Sequence, residues 1–388
     1  MMPGMPVPNA LELARELVMT PSPSGEEAAA AEVLNAAMLA AGFDEAYVDD
    51  VGNAIGVIAR GAGPTLLLTG HLDTVPLGDP EEWPHPPLSG AVDGGRLWGR
   101  GSVDMKSALS CMVAGAAQAA ERGFAGTLIV AGTVQEEVNG FGSKHLGRTL
   151  DYDVAVLGEP SKLQLRLGHK GRVEVIARFT GAIAHAARPE LGENALAAAA
   201  RFVNALEGIE PPTSEVLGPS TVTPTVLRTW PDGTTNVVPG SAELTLDVRT
   251  VAGQGAEEVL ALLRGAAPDA GVELVVPASP LEHPDGRVEE QPHVAPAYHL
   301  SPDHEAVATA RRALSGALAA AGRDLVEGVW WFCTDAPHLA VGGRPVIGFG
   351  PGEEELAHTT RESVAVADLD VAASAYRELA LAFLGGHK

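Results

Sequence analysis

Hydrophobic positions along the chain follow two alternating rhythms. TLLLTG (residues 65–70) is an almost unbroken apolar run, and TLIVAGTV (127–134), DVAVLG (153–158) and RPVIGFG (344–350) are of the same kind. Such runs predict strands buried on both faces. Elsewhere the spacing is helical. NALELARELVMT predicts one helix and residues 26–41 a second. In MKSALSCMVAGAAQAAERG, Met105, Leu109, Met112 and Ala116 recur at the helical period and Gly123 supplies the stop. Strands alternating with helices imply an α/β sheet covered on both faces.

The middle of the chain reads differently. RVEVIARFT puts Val173, Val175, Ala177 and Phe179 on one side, with Arg172, Glu174 and Arg178 on the other. That is the period of a half-exposed strand. There follow a helix over 194–206, a strand over 221–229, the turn Pro231-Asp232-Gly233, the alternating SAELTLDVRT, a helix in GAEEVLALLRG and a strand in VELVV. The order β-α-β-β-α-β is the split ferredoxin-like pattern. Beyond a loop rich in Pro and His (280–302), a helix starting near His304 returns to the first style. We expect a small domain at 172–280 inserted into a discontinuous α/β domain made of 1–171 and 281–388, with no internal repeat.

A length of 388 residues suits two domains, and 46% hydrophobic with 20% charged residues marks a folded chain. The net charge of −24 argues against nucleic acid as a partner, because a polyanion needs a basic surface. Two cysteines, Cys111 and Cys333, exclude a disulfide framework or a Cys-rich zinc site, and Cys111 is expected in the core. No run approaches the roughly 18 apolar residues of a membrane span. The opening residues also lack the pattern of a secretory signal. The expectation is a cytoplasmic protein with no membrane partner.

The chemistry gathers at the ends of the apolar runs. TLLLTG leads into His71-Leu72-Asp73, TLIVAGTVQ into Glu136-Glu137, and DVAVLG into Glu159-Pro160. Ligands of open α/β sheets bind outside the carboxyl ends of the strands, so three strands would deliver these groups to one edge. Asp104 in GRGSVDMKS precedes the third helix, and His358 follows the last strand. Imidazole and carboxylate are zinc ligands. The charges of Asp104, Glu137, Glu159 and a bridging hydroxide balance two zinc ions. Paired metals can activate that hydroxide and polarise a carbonyl, with Glu136 free to act as general base. Gly99, Gly101 and Asp104 mimic a dinucleotide fingerprint, but the third glycine and the preceding phosphate loop are missing.

GHLDTVP, GRGSVDMK, QEE, GEP and GFGPG…AH resemble, in order and over nearly the whole chain, the motifs of the co-catalytic zinc metallopeptidase family. That family includes acetylornithine deacetylase, succinyl-diaminopimelate desuccinylase, aminoacylase and glutamate carboxypeptidases. The resemblance implies a zinc-aminopeptidase-like catalytic domain with a mixed central sheet, plus an inserted ferredoxin-like lid and dimerisation domain. It further implies His71 and Glu159 on one metal, Glu137 and His358 on the other, Asp104 bridging, and Asp73 orienting the His71 ring. Glu136 would shuttle the proton. The metals would be two zinc ions, or cobalt or manganese in their place.

In the lid, His185 of GAIAHAARPELGENA resembles the family histidine that stabilises the tetrahedral oxyanion, although His-Ala-Ala stands where relatives often have His-Gly-Ser. Asn236 and Arg249 resemble residues that hold a substrate carboxylate; Arg249 could equally pair with Asp247. Thr334, Asp335 and the Gly350-Pro351-Gly352 loop would line the pocket. His85, His145, His283, His293, His299, His304 and His338 read as surface or loop residues, with His338 a candidate neighbour of the site. His387, in the tail, is not a ligand candidate. The implied reaction is hydrolysis of the amide bond of an N-acyl amino acid by a homodimer joined through the lid. A dipeptidase or carboxypeptidase is the alternative, and a catalytically silent amino-acid- or metal-binding relative a remote one.

Overall fold

The computed structural model describes residues 9–267, 271–282 and 288–385; His283 and His387 lie outside them. The chain divides into two compact units. One comprises Met1–Gly168, Leu300–Trp330 and Thr334–Lys388, and the other His169–His299 and Trp331–Cys333.

Helix α1 (Ala10–Met19) starts at Asn9, whose side chain accepts the Leu11 amide, and α2 (Ala28–Ala40) follows. Next come β1 (Glu45–Val48), β2 (Ala54–Arg60), β3 (Thr65–His71), α3 (Lys106–Arg122), β4 (Gly126–Thr133), β5 (Val154–Leu157) and β6 (Leu165–His169). The second unit contains β7 (Gly171–Thr180), α4 (Ala195–Leu206), β8 (Thr221–Trp230), β9 (Ser241–Thr250), α5 (Ala256–Ala266) and β10 (Val272–Val275). The chain then forms α6 (Glu305–Ala320), β11 (Val346–Gly348) and α7 (Val366–Phe383) in the first unit.

The sheet of the first unit is mixed. Its order includes β1-β2-β4-β3-β5-β11-β6. Strands β4, β3, β5 and β11 are parallel to one another, while β1, β2 and β6 run antiparallel to their neighbours. In register, His71 faces Thr133, Thr69 faces Leu157, and Leu157 faces Gly348. The carboxyl ends of the four parallel strands therefore share one edge. Leu66, Leu67 and Leu68 are fully buried, as the continuous apolar run requires. Burial of each such side chain contributes about 1.5–3 kcal/mol.

Helix α3 departs from the one-faced helix that its period suggests. It is buried nearly all round, from Lys106 to Ala117. The reason is its position, packed against α1, α7 and strands β3 and β4 at once. Met105 is buried but precedes the helix, with φ −140°. Cys111 lies in this core, as expected.

The second unit has the expected split pattern, with sheet order β8-β9-β7-β10 and every pairing antiparallel. Val173, Val175, Ala177 and Phe179 of β7 pack with Phe202 of α4 and Val259 and Leu263 of α5. The polar side of the same strands carries Arg172, Glu174, Asp247 and Arg249 as a ladder of ion pairs. The segment read as a Pro- and His-rich loop instead includes two antiparallel strands, Ala278–Glu282 paired with Val288–Pro292. Its sequence lacks the apolar alternation by which a half-buried strand is read. Among the described residues, no helix is long and apolar enough to cross a membrane.

Candidate active site

The site lies at the shared carboxyl edge of the parallel strands. His71 closes β3, and its Nε2 lies 3.0 Å from Asp104 Oδ1 and 4.0 Å from Glu159 Oε1. Asp104 stands on the loop just before α3. Its other oxygen, Oδ2, is 3.2 Å from His358 Nε2, which in turn is 3.0 Å from Glu137 Oε1. Asp104 is thus placed between two imidazoles, each with a further carboxylate beside it. Donor atoms of His71, Asp104 and Glu137 lie within 4.8 Å of one another, and so do those of His71, Glu136 and Glu159. His358 has φ 61°, a left-handed backbone that a non-glycine residue adopts at a cost.

Asp73 connects these groups. The His71 ring meets the Asp73 main-chain carbonyl at 2.9 Å through Nδ1, with the Asp73 carboxylate further away at 3.6 Å. The ring orientation expected from Asp73 is therefore supplied mainly by its backbone. The carboxylate accepts the amides of Glu136 and Glu137 at 3.0 and 3.1 Å, and the Ser24 hydroxyl at 2.7 Å.

Burial raises the Glu136 carboxyl well above its ordinary range, and the charges of Asp335 and Glu159 add to it. Burial likewise raises Glu159, reinforced by Asp104. For Asp104 burial opposes ionisation, but hydrogen bonds from His358 and His71 prevail and hold it well below the carboxylate range. The hydrogen bonds to Asp104 and Glu137 push His358 up to about 10. Burial disfavours charge on His71, yet its Asp104 partner and the Glu159 charge keep it well above the imidazole range. Glu159 Oε1 is buried with no hydrogen-bond partner. Imidazole nitrogen and carboxylate oxygen at these spacings are a donor set for divalent zinc-like ions, so the residues fit such a metal.

The residues expected to line the pocket belong to the first unit. Thr334 and Asp335 are buried, and Thr334 Oγ1 accepts the Ala336 amide. Burial raises Asp335 to about 6, and its Oδ2 is unpartnered. Gly350 donates its amide to Ser161 Oγ at 2.9 Å, and a Cβ there would lie 2.2 Å from the Gly158 carbonyl. Gly352 has φ +91° and accepts the Lys162 amide. Both glycines therefore secure the loop that follows Glu159. His338 borders Gly140, where a Cβ would meet its ring and Asp335. His145 lies on a helix (Phe141–Thr149) with its side chain partly exposed.

In the second unit, His185 is exposed on a short ribbon, Ala184–His185 paired with Val237–Val238. Asn236 adjoins it, its carbonyl accepting the Ala186 amide at 2.9 Å. His185 Nδ1 accepts the Ala187 amide at 3.0 Å, which leaves Nε2–H as the donor of the neutral ring. Arg249 Nε pairs with Asp247 at 2.7 Å, the arrangement its strand position allowed. Sequence reasoning passed over Arg100 and Glu362, both buried beside Asp104. The available signals were an arginine between two glycines in GRGSVDMK and an acid shortly after His358.

A mixed α/β sheet with this constellation at its carboxyl edge defines a metallohydrolase acting on amide or peptide bonds. The chain belongs to peptidase family M20/M25/M40, whose model matches residues 67–382. It is 31% identical over 396 residues to succinyl-diaminopimelate desuccinylase of Methylobacterium sp. (strain 4-46), covering 96% of this chain and 95% of that one. Aminopeptidase PepT from Bacillus cereus shares the fold with TM-score 0.75 and 22% identity, over 96% of this chain and 97% of that one. The YXEP protein of Bacillus subtilis, a dinuclear metal-binding peptidase of the M20 family, gives TM-score 0.68 and 17% identity, over 97% and 98%.

Proposed function

We propose that the protein hydrolyses the amide bond of an N-acyl amino acid, releasing the free amine. The observation that carries the reading is Asp104, which offers one oxygen toward His71 and the other toward His358. One divalent ion would be held by His71 and Glu159, a second by Glu137 and His358, with Asp104 common to both. Zinc suits the donors, and cobalt or manganese can substitute. Bound there, such ions supply Lewis acidity, polarising a carbonyl and making water easier to deprotonate.

The chain's own residues do the rest. Glu136, held by its amide on Asp73, accepts a proton from the attacking water as the oxygen adds to the carbonyl carbon. It returns that proton to the nitrogen as the C–N bond breaks, so the products are a carboxylic acid and an amine. The buried, acid-crowded surroundings that raise its proton affinity suit it to hold the proton between these transfers. We assign His185 Nε2–H to the developing oxyanion. The second unit is then a lid, and its edge strand β8, with Val226, Leu227 and Trp230 exposed, is the surface we assign to the homodimer.

Similarity to the desuccinylase supports an acylated amino acid as substrate. The test is a panel of N-acetyl, N-succinyl and dipeptide substrates assayed with added zinc, cobalt or manganese. Preferred turnover of an N-acyl amino acid supports the reading. Turnover confined to peptides with a free amino terminus would replace it with a peptidase.

A further inference from the structure

Three segments that carry the candidate ligands meet on one buried ion pair. Arg100 and Glu362 are 3% and 0% exposed, and Arg100 Nη1 lies 2.6 Å from Glu362 Oε2. Glu362 Oε1 accepts the amides of Val103 and of Asp104 itself, at 2.9 and 3.1 Å. Arg100 Nη2 donates to the Pro76 carbonyl at 3.1 Å, on the segment that leaves His71 and Asp73. Its Nη1 reaches the carbonyl of Thr359, the residue after His358, at 3.4 Å. The Trp83 ring packs 5.1 Å from the guanidinium carbon, and the Arg100 amide donates to Pro87 at 2.8 Å.

Stability alone is a poor reason for this arrangement, because burying two charges costs about as much as their attraction returns, and apolar side chains of similar volume often serve equally well. Apolar groups cannot, however, accept two amides and donate to two carbonyls in fixed directions. Here those contacts fall on the amide of Asp104 and beside His358. We infer that Arg100 and Glu362 are positioning residues of the metal centre, setting the distance between Asp104 and His358 so that two cations can share Asp104. This rests on the dinuclear reading above.

The test uses Glu362→Gln and the double variant Arg100→Met/Glu362→Gln, each titrated as metal-free protein with cobalt(II). In the single variant the amide nitrogen faces Arg100 and cannot accept from it. The double variant leaves no unpaired buried charge, keeps an acceptor for the Val103 and Asp104 amides, and loses the ties to Pro76 and Thr359. Outer partners of metal ligands typically contribute about 10–100-fold in affinity. We expect that loss for the second cobalt ion, with shifted d–d bands, in both variants. Wild-type affinity for both ions with unchanged bands overturns the inference, even if the melting temperature of the metal-free protein falls, because the pair then supports only the fold. Failure of both variants to fold overturns it equally. Wild-type protein that takes up fewer than two ions overturns the dinuclear reading and, with it, this inference.

Discussion

Asp73 accepts the main-chain amide of Glu136 at 3.0 Å, and with its second oxygen the amide of Glu137 at 3.1 Å. One carboxylate at the end of one strand therefore holds the backbone of two acids delivered by the next. The two acids start from a common anchor yet point to different duties. Glu136→Gln should lower kcat by at least roughly 10²-fold, the scale of general acid–base catalysis, while metal content stays near normal. Glu137→Gln should lose metal. Elemental analysis alongside steady-state rates separates the two, and exchanged phenotypes would reverse the assignments.

Metal uptake should expel protons. In the metal-free protein His358 is held at about 10 by Asp104 and Glu137, and His71 is also held well above its ordinary range. His358 is therefore charged at pH 7, and His71 keeps its proton beyond the ordinary imidazole range, whereas a metal binds the neutral ring. Calorimetric titration with zinc in buffers of different ionisation enthalpy should report a net release of protons on metal uptake. Uptake without proton release would contradict the charge state described for this cluster.

The same shift sets a pH window for the metal-free fold. A histidine that titrates near 6.5 when unfolded and at about 10 when folded lends stability that is complete below the first value and lost as pH rises through the second. Denaturant unfolding of the metal-free protein should therefore show stability falling between these limits. His358→Gln should flatten that slope. An unchanged slope in the variant would assign the effect to other groups.

Gly350 predicts a packing effect on the site. An alanine methyl would sit 2.2 Å from the Gly158 carbonyl and 2.5 Å from that of Glu159. Neither obstacle is a flexible side chain, so the loop bearing Glu159 must move. Gly350→Ala should cost about 1–3 kcal/mol of stability and weaken metal binding as well. A melting curve and metal titration at wild-type values would show that the loop yields freely.

Subunit mixing tests the lid. We predict that His185 serves the active site of a neighbouring subunit, where loss of one oxyanion donor would cost about 2.7–4 kcal/mol in the transition state. Inactive His185→Ala and inactive Glu136→Gln chains should then regain part of the activity on co-assembly, because one hybrid site unites both wild-type residues. Mixed dimers that form and stay inactive would place the histidine within its own chain or outside the reaction.

Much of this architecture was legible because the chemistry sits beside strong hydrophobic signals. Buried parallel strands read as continuous apolar runs, so the residues after TLLLTG, TLIVAGTV and DVAVLG could be assigned to one edge. The sheet of the second unit was legible through the two-residue period of β7 and β9, whose alternate positions are buried. Strand β1, largely exposed, and the strand pair starting at Ala278 offer no such contrast and were missed. The exchange of roles between the Asp73 carbonyl and carboxylate was invisible for a different reason. Main-chain acceptors have no letter in a sequence. Arg100 and Glu362 were obscured by separation, since a contact between residues so far apart along the chain leaves no periodic trace.

Strand β11 lies in the sheet between β5 and β6, although both of those are synthesised long before it. A nascent chain that has emerged only as far as β6 lacks the strand between them, leaving open strand edges in the centre of the future sheet. It also lacks His358. On the ligand assignment proposed above, the second ion must therefore wait for the C-terminal segment, and until then the unfinished sheet exposes strand edges of the kind that invite aggregation.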